Sequence, residues 1–235
     1  MISQSAPAKL VKHQGPPLWL LALLYTVLFN AGLYPVTMFG GQPYWPGPWE
    51  SPAIITHFFQ TQQSRVLTCV FLQTGASVCL GLFTAVVVSR LRFLGIRAAG
   101  VHIALFGGFL TVFNGLAAAL AIWTLLRPAL NADPSMILAL NYFSYALGGP
   151  GFSIPMGLLM AGVSVSAGFS NLIPRWIMIL GLFLGACGEL SVFHLIFPQL
   201  LFLIPLTRFP GFIWIIAVGF ALPNSMSSER LAEAA

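Results

Sequence analysis

Apolar runs of about twenty residues follow one another along this 235-residue chain, and nearly all of its charge sits in the tails and short connections that flank them. As a helix rising ~1.5 Å per residue, such a run matches the ~30 Å hydrocarbon core of a bilayer. Inside hydrocarbon the backbone must satisfy its own polar groups, so these runs fold as helices. Composition points the same way, with 6% charged and 58% hydrophobic residues. A soluble domain of this length needs far more polar surface. The fold class read from the sequence is all-α: a polytopic membrane bundle of six transmembrane helices with two outer interfacial helices.

The predicted spans are Pro17–Phe39, with an early end at Tyr34 because Pro35 follows, then Val66–Val88, Ala98–Leu126, Phe152–Phe169 and Arg175–Ile196. The sixth, Phe209–Leu222, is short. It must either borrow residues from Leu200–Arg208, across Pro205 and Pro210, or let Arg208 snorkel. Residues 1–16 and 223–235 read as tails around a transmembrane domain of 17–222. The first run is too long for a signal-peptide core and lacks a small-x-small cleavage site, so it reads as a retained signal anchor. Cys69, Cys79 and Cys187 all fall within spans, an arrangement that suits packing rather than disulfides.

Net charge is +5, yet the basic residues stand beside hydrophobic ends rather than in a patch, so no nucleic-acid partner is expected. Lys9, Lys12, Arg90, Arg92, Arg97, Arg175 and Arg230 fall on one set of connections. Arg65, Arg127 and Arg208 fall on the other, with Glu50 and Asp133. That asymmetry predicts both termini in the cytoplasm.

Ser51-Pro52 and Asp133-Pro134 each set a capping residue before a proline, a helix-opening pattern. Ile54, Ile55, Phe58 and Phe59 make an apolar stripe after the first. Met136, Leu140, Phe143 and Leu147 make one after the second, with Asn141 and Ser144 between them. Ser135–Leu147 is therefore predicted to be a separate helix on the outer surface, ended by Gly148–Gly151. Tyr44–Trp49 reads as an aromatic interface anchor. The order outer helix, span, arginine-bearing turn, span occurs in 51–126 and again in 134–196, which suggests a parallel internal repeat of poor residue identity.

One carboxylate, Glu189, stands inside a span. Ionisable groups at such depth are costly and usually face the bundle interior. Counted along their helices, Asn30 and Gln73 lie at a similar depth below the outer surface, Asn114 lies deeper, and His194 lies above. The candidate ligand-binding pocket is thus Glu189, His194, Asn30, Gln73 and Asn114, open outward and built from the first, second, third and fifth spans. The bland alternative is a protonated Glu189 bonding Asn or Gln across helices.

No cofactor or metal is expected. His102 and His194 lie near opposite surfaces and cannot share a haem, and only His57, His194 and Glu189 could gather around zinc. No His-Glu-x-x-His or Gly-x-Ser-x-Gly motif occurs. Gly181-x-x-x-Gly185 with Ala186 and Gly188 offers a small face for close helix packing. Three functions remain open: binding or passing a small amphipathic, lipid-like molecule; an embedded enzyme using Glu189 with His194 or His57; and a structural or regulatory subunit. The partners implied are membrane lipid, such an amphiphile, and a second copy or another membrane protein.

Val88-Ser-Arg-Leu-Arg-Phe-Leu-Gly-Ile-Arg-Ala-Ala-Gly100, Ala146–Gly151, Ile173–Trp176, Gly188–Ser191 and Arg208–Trp214 together resemble bacterial six-helix integral membrane proteins of a domain-of-unknown-function family. The likeness runs from about Leu18 to Pro223. It implies six spans and a bacterial inner-membrane location, and it brings no activity, substrate or catalytic residue.

Overall fold

A computed structural model describes residues 10–227; Lys9 and Arg230 of the charge count lie outside them. The helices are α1 (Leu18–Leu33), α2 (Pro52–Thr61), α3 (Gln63–Phe93), α4 (Ala99–Leu125), α5 (Pro128–Asn131), α6 (Pro134–Gly148), α7 (Pro150–Phe169), α8 (Arg175–Leu190) and α9 (Leu203–Ala221), with short 3-10 turns after α1 and between α8 and α9. Two three-residue strands, β1 (Leu10–Lys12) and β2 (Ser225–Ser227), pair antiparallel. Six segments are long and apolar enough to cross a membrane, with α6 and α7 forming one of them jointly.

The spans close into a ring in the order α1, α3, α4, α7, α8, α9 and back to α1. Neighbours alternate in direction, so both described tails and the turns holding Arg90, Arg92, Arg97 and Arg175 share one end, here the basic end. The distal end carries α2, α5 and α6. Large side chains such as Phe71, Phe106, Phe113, Phe183 and Ile213 point outward and are more than half exposed. A ring surrounded by lipid gains little by hiding them; Trp214, Tyr25 and Phe83 still fill its core, and only its closest helix contacts select small groups that let backbones approach.

That selection is sharpest around α7. A Cβ on Gly157 would lie 2.8 Å from the Gly185 carbonyl oxygen of α8, and one on Gly107 of α4 would lie 2.5 Å from that of Pro155. Gly185 and Gly188 face Gly157 and Ser153 in turn, and Gly181 faces Ser164 and Trp214. The Gly181–Gly188 face is a packing face, as its spacing predicts.

Most span boundaries fall within a few residues of expectation, and the differences have identifiable causes. α1 stops at Leu33 because Pro35 cannot continue the α ladder. α8 stops at Leu190, where the Ser191 hydroxyl donates to the Gly188 carbonyl at 2.6 Å and a 3-10 turn follows. Glu189 is thus one residue from its helix end. The sixth span reaches back to Leu203 across Pro205 and Pro210. Arg208 does not snorkel; it turns into the ring.

α6 is separate, opened by Asp133, whose carboxylate accepts from the Ser135 amide at 2.8 Å, and broken from α7 at Gly149. Its apolar stripe does not face the bundle. Ile137, Asn141 and Ser144 are buried, while Met136 and Phe143 are exposed. The small polar stripe meets α4, where the Ser144 hydroxyl donates to the Ala118 carbonyl at 3.1 Å. α6 runs down the distal part of α4 and α7 continues along the rest.

Segments 51–126 and 134–196 also end their first spans alike. Gly95 (φ 81°) and Asn171 (φ 54°) adopt the left-handed conformation just past α3 and α7. The Ile96 amide bonds back to Leu91 and the Gly95 amide to Arg92; Leu172 and Asn171 do the same to Ala167 and Gly168. Both turns are Schellman caps, which is why the chain reverses there.

Candidate functional site

The distal mouth of the ring is covered by the loop between α1 and α2, and a single arginine organises it. Arg65, at the start of α3, donates to the backbone carbonyls of Pro35 (2.6 Å), Gly40 (2.9 Å), Gly41 (2.8 Å) and Pro43 (3.0 Å). The planar guanidinium presents five donors in a fixed fork, so it can gather oxygens from several directions. The loop then doubles back. The Trp45 amide bonds the Val36 carbonyl at 2.7 Å, and the Trp45 indole packs edge-on to Phe59 at 5.3 Å. Trp45-Pro-Gly-Pro-Trp49 is left lying over the mouth.

Beneath it is a cavity of about 350 Å³. Phe29, Leu33, Val70, Ala119, Ile122, Phe152 and Ile204 give it apolar walls; Tyr25, Gln73, Ser77, Asn141, Ser144, Tyr145 and Arg208 are its polar groups. Small-molecule sites are typically of this kind: ~300–1,000 Å³, mostly apolar, with a few placed polar groups. The lining comes from α1, α3, α4, α6, α7 and α9. No carboxylate lines it among the described residues.

Arg208 is the charged group of this chamber. One of its nitrogens donates to the Gly148 carbonyl at the C-terminus of α6, and its guanidinium lies over Phe152 (4.6 Å) and Phe29 (5.5 Å). A helix C-terminus and two ring faces suit a cation. They do not saturate it: Nε is buried and without a partner. Tyr25 is 1% exposed and its hydroxyl has no partner; Asn141 is 3% exposed, and its amide makes no hydrogen bond among the described residues.

The structure distributes the predicted pocket residues unevenly. Gln73 lines the chamber, with its amide donating to the Phe29 carbonyl across α1 and α3 at 3.1 Å. Asn30 is exposed and bonds the Thr26 carbonyl of its own helix at 2.8 Å. Asn114 donates to the Gly151 carbonyl. Pro155, four residues on, has no N–H for that oxygen, so Asn114 replaces the missing helical bond. His194 meets the Tyr145 hydroxyl at 3.0 Å, behind the chamber wall. Glu189 lies against Gly157 with Oε1 buried and unpartnered, outside the chamber and apart from Asn30, Gln73 and Asn114. The chamber centres on Arg208, and α8 contributes no lining residue.

No family model matches the chain, and neither a curated protein nor a solved structure proves similar to it. The six span-length apolar helices make it an integral, multi-pass membrane protein.

Sequence reasoning singles out the lone acid and passes over Arg208, which it counts as a distal surface charge. The signal lies in the position of Arg208 between two prolines within the sixth apolar run, where a span borrowing residues across Pro205 is one of the two readings. A span forced to reach back past Pro205 carries that arginine into the bundle.

Proposed function

We propose that this protein binds, or passes, a small amphipathic molecule through the chamber at the distal end of its ring. The observation that carries the reading is the chamber itself: about 350 Å³, apolar-walled, with partnerless polar groups, beneath a loop fixed by Arg65. A partly open recess of this size, mostly apolar and with a few placed polar groups, has the form of a small-molecule site. We place the basic end in the cytoplasm, because Lys12, Arg90, Arg92, Arg97 and Arg175 gather there. The chamber then opens outward, in the outer half of the bilayer, and a bacterial inner membrane suits this topology.

Filling the chamber tests the reading. Ala119 lines it from α4, so Ala119→Phe should occupy much of the space while leaving the ring's outer surface unchanged. Native mass spectrometry of protein extracted without detergent should find a bound amphiphile on wild type and little on the variant. Equal occupancy of both, or none on wild type, contradicts the proposal.

A further inference from the structure

The chamber's charged group among the described residues is a cation, and its buried unpartnered atoms, Arg208 Nε and the Tyr25 hydroxyl, can both donate. Arg208 offers nitrogens beyond the one given to Gly148, and its Nε is buried without an acceptor. The Tyr25 hydroxyl, on a side chain 1% exposed, is also orphaned. The Asn141 amide, on the α6 wall, makes no hydrogen bond among the described residues. Each can donate, and among the described residues no acidic side chain lines the chamber to accept. A buried donor without a partner costs about 1–3 kcal/mol, and a buried cation without a counter-charge costs more. A ligand that brings acceptor oxygens and negative charge satisfies Arg208 and Tyr25 together; a neutral oxygen can accept from them but supplies no counter-charge, and a cation adds a second positive charge.

We propose that the chamber is a receptor for an oxyanion-headed amphiphile, with the head group held by Arg208 and Tyr25 and the chain lying against Phe29, Val70, Ile122 and Ile204. The inference rests on the amphiphile-binding reading above and adds the sign and chemistry of the head. A carboxylate and a phosphate monoester both match the flat, two-pronged guanidinium. Tyr25 contributes a hydrogen bond and no charge, which makes it the cleaner probe: Tyr25→Phe removes one oxygen that bonds nothing in the fold.

The test is calorimetric titration of the whole protein in nanodiscs, corrected with empty nanodiscs, using decanoate, decyl phosphate, decanol, decyltrimethylammonium and inorganic phosphate. Decanoate and decyl phosphate should bind about tenfold or more tightly than decanol, and decyltrimethylammonium should not bind. Arg208→Gln should bring both anions down to the level of decanol and leave decanol unchanged. Should that variant fail to fold, for want of its bond to Gly148, Tyr25→Phe decides: several-fold weaker anion binding with decanol unaltered supports the proposal. Preference between decanoate and decyl phosphate assigns the head group as carboxylate or phosphate. Equal affinity for decanol and the anions, unaffected by Arg208→Gln or Tyr25→Phe, overturns the oxyanion inference while leaving the chamber a binding site. Inorganic phosphate matching decyl phosphate overturns the role of the chain. If no amphiphile binds wild type, both readings fall.

Discussion

At the scale of single residues, the polar groups of this protein divide into those that repair the fold and those left over. Asn114 belongs to the first group, because its amide occupies the carbonyl that Pro155 strands. Asn114→Leu should therefore destabilise the protein by about 1 kcal/mol, within the range of polar contacts between membrane helices. In a Pro155→Ala background, where the backbone N–H returns, the same change should cost almost nothing. A double-mutant cycle in mixed micelles measures this, and additive effects would refute the assignment. Glu189 is left over but away from the chamber: Oε1 is buried over Gly157 without a partner and outside the lining. Glu189→Gln should leave amphiphile binding unchanged. A lost ligand would instead show that the acid belongs to the site.

At the scale of elements, the spans were legible because hydrocarbon imposes length and apolarity on every one of them, and charged ends mark where they stop. Facing was not legible. In water the apolar stripe of a helix turns inward; here Met136 and Phe143 turn out, while Asn141 and Ser144 turn in, because small polar groups pack and bond better against α4 than against lipid. The chamber was only partly legible for a related reason. Gln73 falls on it, but Arg208 and Arg65 read alike as distal charges, although one enters the ring and the other gathers loop carbonyls. Helix packing makes its own prediction. Gly157→Ala should destabilise through the 2.8 Å approach to Gly185, whereas Gly75→Ala should not, since only Leu28, at 3.5 Å, is near. At Gly75 the gain in helix propensity, about 0.5–1 kcal/mol, should emerge instead. Steric trapping or thermal unfolding of the two variants checks the opposite signs.

The tail clasp is a second element-scale device. β1 pairs with β2, the His13 amide bonds the Asn224 carbonyl at 2.8 Å, and Arg90 bonds the Leu222 carbonyl at 3.2 Å. The His13 ring packs against Phe93 and shares a hydrogen bond of 2.9 Å with Ser89. Burial, and then the charge of Arg90, hold the His13 imidazole below its ordinary value of 6.5. The clasped state thus binds its proton less readily than the open one. Above pH 6.5 both states are neutral and the clasp keeps its full stability; as pH falls below that value, protonation favours opening. Spin labels at Val11 and Met226 should separate on acidification in wild type and much less so in His13→Gln. An unchanged distance across this range would contradict the linkage.

At the scale of the whole molecule, six alternating spans put both described tails and the α3–α4 and α7–α8 turns at one end, with the chamber at the other. Cysteine labelling on a background lacking Cys69, Cys79 and Cys187 should reach Ile96 only from the cytoplasm and Trp49 only from outside; labelling of Ile96 from outside would reverse the topology. The chamber's occupancy is the central claim, and photo-crosslinking in native membranes tests it most directly. A long-chain amphiphile carrying an alkyl diazirine should label the peptides containing Phe29, Ile122 and Ile204 in wild type, and Ala119→Phe should abolish that labelling while sparing outward-facing Phe71 and Phe113. Labelling confined to the outward-facing residues, or unaltered by Ala119→Phe, would contradict the account.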